Sequence, residues 1–175
     1  TIDGYFATAN YTDTAIREFF DYLKASGLYE NSMIVLYGDH YGISDSRIEA
    51  TKELFGKDDW TTFDTIEAQK VPLIIHLPGQ EKGTINHTYG GQIDVLPTLL
   101  HLVGYDSNDL MLLGHDLLSP NREQLVAFRN GDFVTEDYSY HKGDVYDNQT
   151  GALLNFSQPE ILEEAKEVKK KVEEQ

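Results

Sequence analysis

The run Tyr37-Gly38-Asp39-His40-Tyr41-Gly42 sets a carboxylate beside an imidazole, with a glycine on either side. An oxygen and a nitrogen donor side by side suit Mn²⁺ or Zn²⁺, whereas Mg²⁺ is less at home with His. Adjacent residues of a strand point to opposite faces, so both can reach one ion only where the pleat breaks down. Gly38 and Gly42 permit that bend. The same two residues also read as a loop Asp capping a helix with a His packed next to it. Two ligands are half a site.

Other side chains have chemistry in them but weaker context. His87 precedes Gly90-Gly91 and either approaches a cleft or is a plain loop His. Tyr41 follows the Asp-His pair and is a candidate for the wall of a substrate cleft. His76 falls inside an apolar run, where a hydrogen-bonded core position is expected. His101, His115 and His141 are expected at the surface, and Asp94 as a helix N-cap. Trp60 lies alone in a polar stretch.

The elements that must position these residues follow from the apolar pattern. Ala15, Ile16, Phe19, Phe20 and Leu23 recur at helical spacing between Thr12 and Ser26, and Gly27 supplies the stop. Ser32 to Tyr37 is a short continuous apolar run, the pattern of a strand buried on both faces. Val71 to Leu77 is a second such run, with Pro72 expected at its beginning because it has no ladder donor. Between them, Ser44 to Gln69 is long and polar, with a short helix expected at Arg47–Phe55 and then a loop carrying Trp60 and Phe63. Ile93, Leu96, Leu99, Leu100 and Val103 predict a helix from Asp94, with Pro97 in its first turn and Gly104 ending it.

After about Ser119 the character changes. Leu125–Phe128, Asn130-Gly131 and Phe133–Thr135 predict a hairpin with a tight Asn-Gly turn. Tyr138–His141, Val145-Tyr146 and Ala152–Leu154 continue as short strands. Pro159 to Glu174 is a helix with Ile161, Leu162, Ala165, Val168 and Val172 as its apolar stripe and a solvated Glu/Lys face. The expected fold is therefore α/β. Residues 1–118 form a parallel sheet with flanking helices, and 119–175 a small antiparallel sheet with a C-terminal helix.

Composition bounds the function. With 14 Lys plus Arg against 30 Asp plus Glu, the chain carries a formal charge of −16. That excludes a nucleic-acid partner, which needs a basic face. The absence of Cys excludes a disulfide scaffold, a thiolate zinc site and a cysteine nucleophile. The longest apolar runs are far short of the roughly 20 residues of a membrane span. Beginning at Thr1-Ile2-Asp3, the chain reads as a piece of something longer.

Ala9-Asn10-Tyr11-Thr12-Asp13, Gly27-Leu28-Tyr29-Glu30-Asn31-Ser32 and Gly38-Asp39-His40-Tyr41-Gly42 together resemble the C-terminal half of a sulfatase-type enzyme of the alkaline phosphatase superfamily. Within that superfamily, Tyr37 to Ser44, Val71 to Gly79 and Gly90 to Thr98 are similar to lipoteichoic acid synthases. The resemblance implies an alkaline phosphatase/sulfatase-like fold, present in part. It implies that Asp39 and His40 are ligands of a metal, Mn²⁺ by preference, with Mg²⁺ or Zn²⁺ as alternatives. It further implies a glycerol-phosphate transferase working outside a Gram-positive cell. Phosphatidylglycerol and the growing glycerol-phosphate polymer would be the substrates, and a covalent threonine intermediate would carry the transfer. The family's nucleophile and its remaining ligands lie upstream of the Asp-His pair, so they and the parent's membrane anchor fall outside this chain. Thr12 and Thr14 match the family's later helix and are not promoted to nucleophile. Two other functions stay open, a sulfatase or phosphodiesterase that hydrolyses and a non-catalytic domain binding a cell-wall polymer.

Overall fold

A computed structural model of the chain describes residues 2–40 and 48–174. By contacts the chain divides into two compact units, residues 1–85 and 86–175. The antiparallel sheet and terminal helix expected from 119 onward lie in the second unit, together with the helix expected after Asp94.

The first unit opens with helix α1, Ile2–Ala25, which starts about ten residues before the expected Thr12. The extension holds because its polar β-branched residues satisfy themselves locally. Thr8 Oγ1 donates to the Tyr5 carbonyl at 2.8 Å, Thr12 Oγ1 to Thr8 at 3.0 Å and Thr14 Oγ1 to Asn10 at 3.1 Å. The helix ends as expected at Gly27, whose φ is 71°. Leu28 N donates to Leu23 O and Gly27 N to Lys24 O, the paired bonds of a Schellman cap.

Strand β1, Ile34–Tyr37, and strand β2, Leu73–His76, are where the apolar runs put them. Their pairing, however, is antiparallel rather than parallel, with Ile34 opposite His76 and Tyr37 opposite Leu73. An uninterrupted apolar run signals a strand but carries no direction, and mixed sheets of α/β proteins commonly include an antiparallel member. Neither strand is buried on both faces, and Tyr37 and Ile74 are exposed. Between the strands, α2 (Ile48–Phe55) occupies the expected short helix. The stretch expected as a loop around Phe63 instead forms helix α3, Thr62–Glu67. A capping box starts it: Thr61 Oγ1 accepts from Asp64 N while Asp64 Oδ2 accepts from Thr61 N at 2.8 Å. Lys57 pairs with the other carboxylate oxygen. Trp60 donates Nε1–H to Thr65 Oγ1 at 3.0 Å and packs on Phe55, so it is a local structural residue.

In the second unit a 3-10 turn at Gln92–Asp94 leads into α4, Val95–Leu102, with Pro97 in its first turn and Gly104 at φ 68° after its end. A four-stranded antiparallel sheet follows in the order β3 (Val126–Ala127), β4 (Phe133–Val134), β5 (Tyr138–His141), β6 (Asp144–Asp147). The β3–β4 hairpin forms, but its turn is wider than the expected two residues. Phe128 N donates to Asp132 O and Gly131 N to Phe128 O, leaving a three-residue loop in which Gly131 alone has a positive φ, 81°. That is the type I turn plus bulge, which needs one left-handed residue where a two-residue type I′ turn needs two. The type I′ turn occurs instead at Lys142-Gly143, with φ of 53° and 103°, between β5 and β6.

Helix α5, Pro159–Glu174, lays the expected stripe on this sheet. Ile161, Leu162, Ala165, Val168 and Val172 meet Phe133, Tyr138, Tyr140, Val145 and Leu154. Phe133 has no exposed surface and stacks on Tyr140 at 5.3 Å. Phe133→Ala should therefore cost about 3–5 kcal/mol of unfolding free energy. Phe156→Ala, at a position 90% exposed, should stay within about 0.5 kcal/mol. Urea denaturation of the two variants checks the contrast.

Candidate functional site

Two residues beyond the last pair of the β1–β2 ladder stands the carboxylate expected to bind metal. Gly38 N donates to Pro72 O at 3.2 Å, extending the ladder by one residue, and Asp39 and His40 then form a bend. Gly38 is needed here for space. A Cβ at this position would come within 2.5 Å of Val71 Cβ, below any real contact. The close approach of the backbone to Val71 thus fixes where the ladder ends and the bend begins. Both Asp39 and His40 are exposed. Tyr41 and Gly42 lie outside the described residues. Among the described residues no group of three or more His, Asp or Glu is placed to hold a metal ion.

His76 sits on β2 as expected of a core-facing His, half-buried and stacked on Tyr29 at 4.2 Å with an interplanar angle of 17°. Its Nδ1 is 3.3 Å from the Tyr29 hydroxyl, and its Nε2 is buried without a partner among the described residues.

In the second unit, His87 lies exposed in the loop before Gly90. The loop is anchored by Asp94, which does act as a cap, though through the turn preceding α4. Asp94 is 3% exposed; Oδ2 accepts from Gly91 N at 2.8 Å and Oδ1 from His115 N at 2.7 Å. Thr98 Oγ1 donates to Asp94 O at 2.7 Å and accepts from Leu117 N at 2.9 Å. The packing admits no side chain at Gly114, where a Cβ would meet Ile93 O at 2.1 Å. His101 is exposed, as expected, and its Nδ1 pairs with Asp116 Oδ2 at 2.6 Å. His115 is exposed too.

His141 departs from the surface placement expected of it. It is 8% exposed, with Nδ1 2.6 Å from Asp132 Oδ2. Asp132 also accepts from Asn130 Nδ2 at 2.8 Å and, through Oδ1, from Lys142 N at 3.0 Å. The carboxylate thereby joins the β3–β4 turn to the β5–β6 turn. The alternation Tyr-Ser-Tyr-His along β5 sets His141 on the face opposite the tyrosines and gives no signal of this, yet Tyr138, Ser139, Tyr140 and His141 are all buried.

A family model described as Sulfatase matches residues 1–105 of the chain. The chain belongs to the sulfatase family. Over 175 residues it is 49% identical to lipoteichoic acid synthase 1 of Bacillus subtilis, covering 100% of this chain and 26% of that protein. Over 173 residues it is 42% identical to the lipoteichoic acid synthase of Staphylococcus aureus, covering 99% of this chain and again 26% of the relative. The chain thus spans about a quarter of the length of these relatives. Among solved structures, the lipoteichoic acid synthase LtaP from Listeria monocytogenes aligns with a TM-score of 0.74 at 24% identity, over 94% of this chain and 42% of that one. That likeness supports the alkaline phosphatase-like fold class. No described helix is long and apolar enough to cross a membrane.

Two expected outcomes follow from these geometries. Asp94→Ala strips acceptors from two backbone donors and should cost roughly 3 kcal/mol, read by urea denaturation. The phenols of Tyr89 and Tyr138 are both pushed up to about 12, by burial first and then by Glu136 and Glu164 respectively. An unfolded Tyr ionises near 10, so both groups favour the folded state below about pH 10. That contribution is lost as pH rises through about 12. Phenolate absorbance against pH should show two late-titrating tyrosines, shifted to ordinary values in denaturant.

Proposed function

We propose that this chain is the C-terminal part of the catalytic region of a glycerol-phosphate transferase that polymerises lipoteichoic acid from phosphatidylglycerol. The observation that carries the reading is the exposed Asp39-His40 pair at the carboxyl end of β1, in a chain matching lipoteichoic acid synthases from end to end. The parent would be membrane-anchored and would work on the extracellular face of a Gram-positive cell.

Asp39 and His40 fit a divalent ion by donor type, an oxygen beside a nitrogen, and by exposure at a strand end open to a large substrate. They would supply two of its ligands, and the others would come from outside the chain. Mn²⁺ is the ion favoured, with Mg²⁺ or Zn²⁺ as alternatives; when bound it would offset charge on the phosphoryl oxygens and favour the attacking alkoxide. The nucleophile is a threonine outside this chain. Inside it, Thr8, Thr12 and Thr14 spend their hydroxyl protons on α1 carbonyls, which suits a helix and not a nucleophile.

In the transfer, a bond forms between the threonine oxygen and phosphorus while the bond to the diacylglycerol oxygen breaks, and diacylglycerol leaves with a proton. The terminal hydroxyl of the polymer then attacks the same phosphorus and frees the threonine. Asp39 and His40 would serve both steps by holding a divalent ion, which would supply positive charge next to the phosphoryl group.

Head-group release from fluorescent phosphatidylglycerol tests the reading. The complete protein should turn over with Mn²⁺, and Asp39→Ala or His40→Ala should lower the rate by about 10³-fold or more, the scale of losing a principal electrostatic group. The 175-residue chain alone should give no turnover. Near-normal rates in both variants would remove the ligand assignment, and metal-dependent turnover by the chain alone would put the nucleophile within it. Polymer formation against free glycerol phosphate separates transfer from hydrolysis.

A further inference from the structure

Asn130 lies in the loop between β3 and β4 and is, of the asparagines of this chain, the one followed by glycine. Such a pair is chemically fragile, because a glycine amide with no side chain beside it can reach the carbon of the neighbouring carboxamide. Here the carboxamide is also part of the tie between two turns. We propose that Asn130 is a site of spontaneous deamidation, that Asp132 restrains it in the folded chain, and that its product opens the tie between Asp132 and His141.

The reaction needs only water. Gly131 N gives its proton to hydroxide and attacks Asn130 Cγ; a bond forms between them, the bond from Cγ to Nδ2 breaks, and ammonia leaves. Water then opens the five-membered imide and the proton returns to the Gly131 nitrogen. Opening at Cγ gives Asp, and opening at the Asn130 main-chain carbonyl gives isoaspartate.

The fold opposes ring closure at both reacting groups. Gly131 N–H donates to Phe128 O at 3.0 Å, so the attacking nitrogen is engaged in the turn. The carboxamide is held at both ends by one residue, Nδ2 donating to Asp132 Oδ2 at 2.8 Å and Oδ1 accepting from Asp132 N at 3.1 Å. Asn130 is exposed whereas Gly131 and Asp132 are buried. Water therefore reaches the leaving group while the peptide that must rotate is held in place.

The product does not fit these contacts. An oxygen replaces Nδ2, the donor is lost, and a second carboxylate meets Asp132 Oδ2, the same oxygen that lies 2.6 Å from His141 Nδ1. Two carboxylates at hydrogen-bond separation repel. Isoaspartate further adds a main-chain carbon to a three-residue loop. Asp132 is then drawn away from His141 and from Lys142 N, and the β3–β4 and β5–β6 turns lose their link.

Peptide mapping by mass spectrometry, on the complete protein held at neutral pH, follows conversion at Asn130 and separates Asp from isoaspartate. Within residues 1–175, Asn130 should convert ahead of the other asparagines. It should do so about tenfold more slowly in the folded protein than in urea, the scale of one charge-assisted hydrogen bond. Asp132→Ala, where circular dichroism shows it folded, should close most of that gap. Thermal unfolding of Asn130→Asp and Asn130→Ala decides the point if Asp132→Ala does not fold. Both lose the amide donor and only the first adds a carboxylate, so Asn130→Asp should melt lower. The proposal would be overturned by no conversion in the folded protein once the urea sample has converted, or by equal rates in the two. A folded Asp132→Ala that keeps the original rate, or Asn130→Asp melting no lower than Asn130→Ala, would overturn it as well.

Discussion

One buried carboxylate organises the start of the second unit. Asp94 places a carboxylate where only 3% of the residue remains exposed, and among the described residues no Lys or Arg forms an ion pair with it. Burying such a group costs several kcal/mol unless its oxygens are satisfied. Backbone donors satisfy both, Gly91 N on one side and His115 N on the other. The bond from His115 N joins residues 21 apart in sequence, so the carboxylate closes a loop around α4 that no described ladder closes. The backbone approach has a steric consequence at Gly90 and Gly114, where a Cβ would fall 2.7 Å from Asp94 Oδ2 and 2.1 Å from Ile93 O. A carboxylate reaching back to main-chain N–H groups and glycines without side chains are two halves of the same contact.

The sheet of the same unit repeats the device. Asp132 takes His141, Asn130 and the Lys142 backbone, and so ties two turns that the hydrogen-bond ladder alone would leave independent. Such ties have particular value here because the strands are short: β3 and β4 have two residues each. Their ladder is too small to set register, and a side-chain clamp at the loop ends supplies what strand length does not. Helix α5 then covers the face with Ala165 at zero exposure, close enough to let Val145 and Phe133 be buried completely.

What was legible in the sequence follows the range of the interactions responsible. Gly27, Gly104 and Pro97 act within a turn of their own position, and each was read correctly. The stripe of α5 has helical period and was read residue by residue. Direction of pairing was not legible, because Ile34-Val35-Leu36-Tyr37 looks the same from either end, and the antiparallel partner comes from residues 73–76. Helix α3 was hidden in a polar stretch, although Thr61 and Asp64 stand at the spacing of a capping box. Placing His141 inside required knowing that Asp132 would arrive beside it, a contact made by a turn one residue wider than the Asn-Gly pair suggested.

The position of the Asp39-His40 pair after a strand was legible for a different reason. Its chemistry is local, two donors in adjacent positions, and its place after a strand follows from the apolar run before it. The structure adds why the bend falls where it does. Gly38 touches Val71, and Gly38 N reaches Pro72 O, so the end of β1 is set by the residues that open β2. A side chain at position 38 would push β1 away from Val71 and shift the bend that carries both donors. The placement of the pair is thus a property of strand packing in the first unit, and the two donors inherit their position from a contact in which neither takes part.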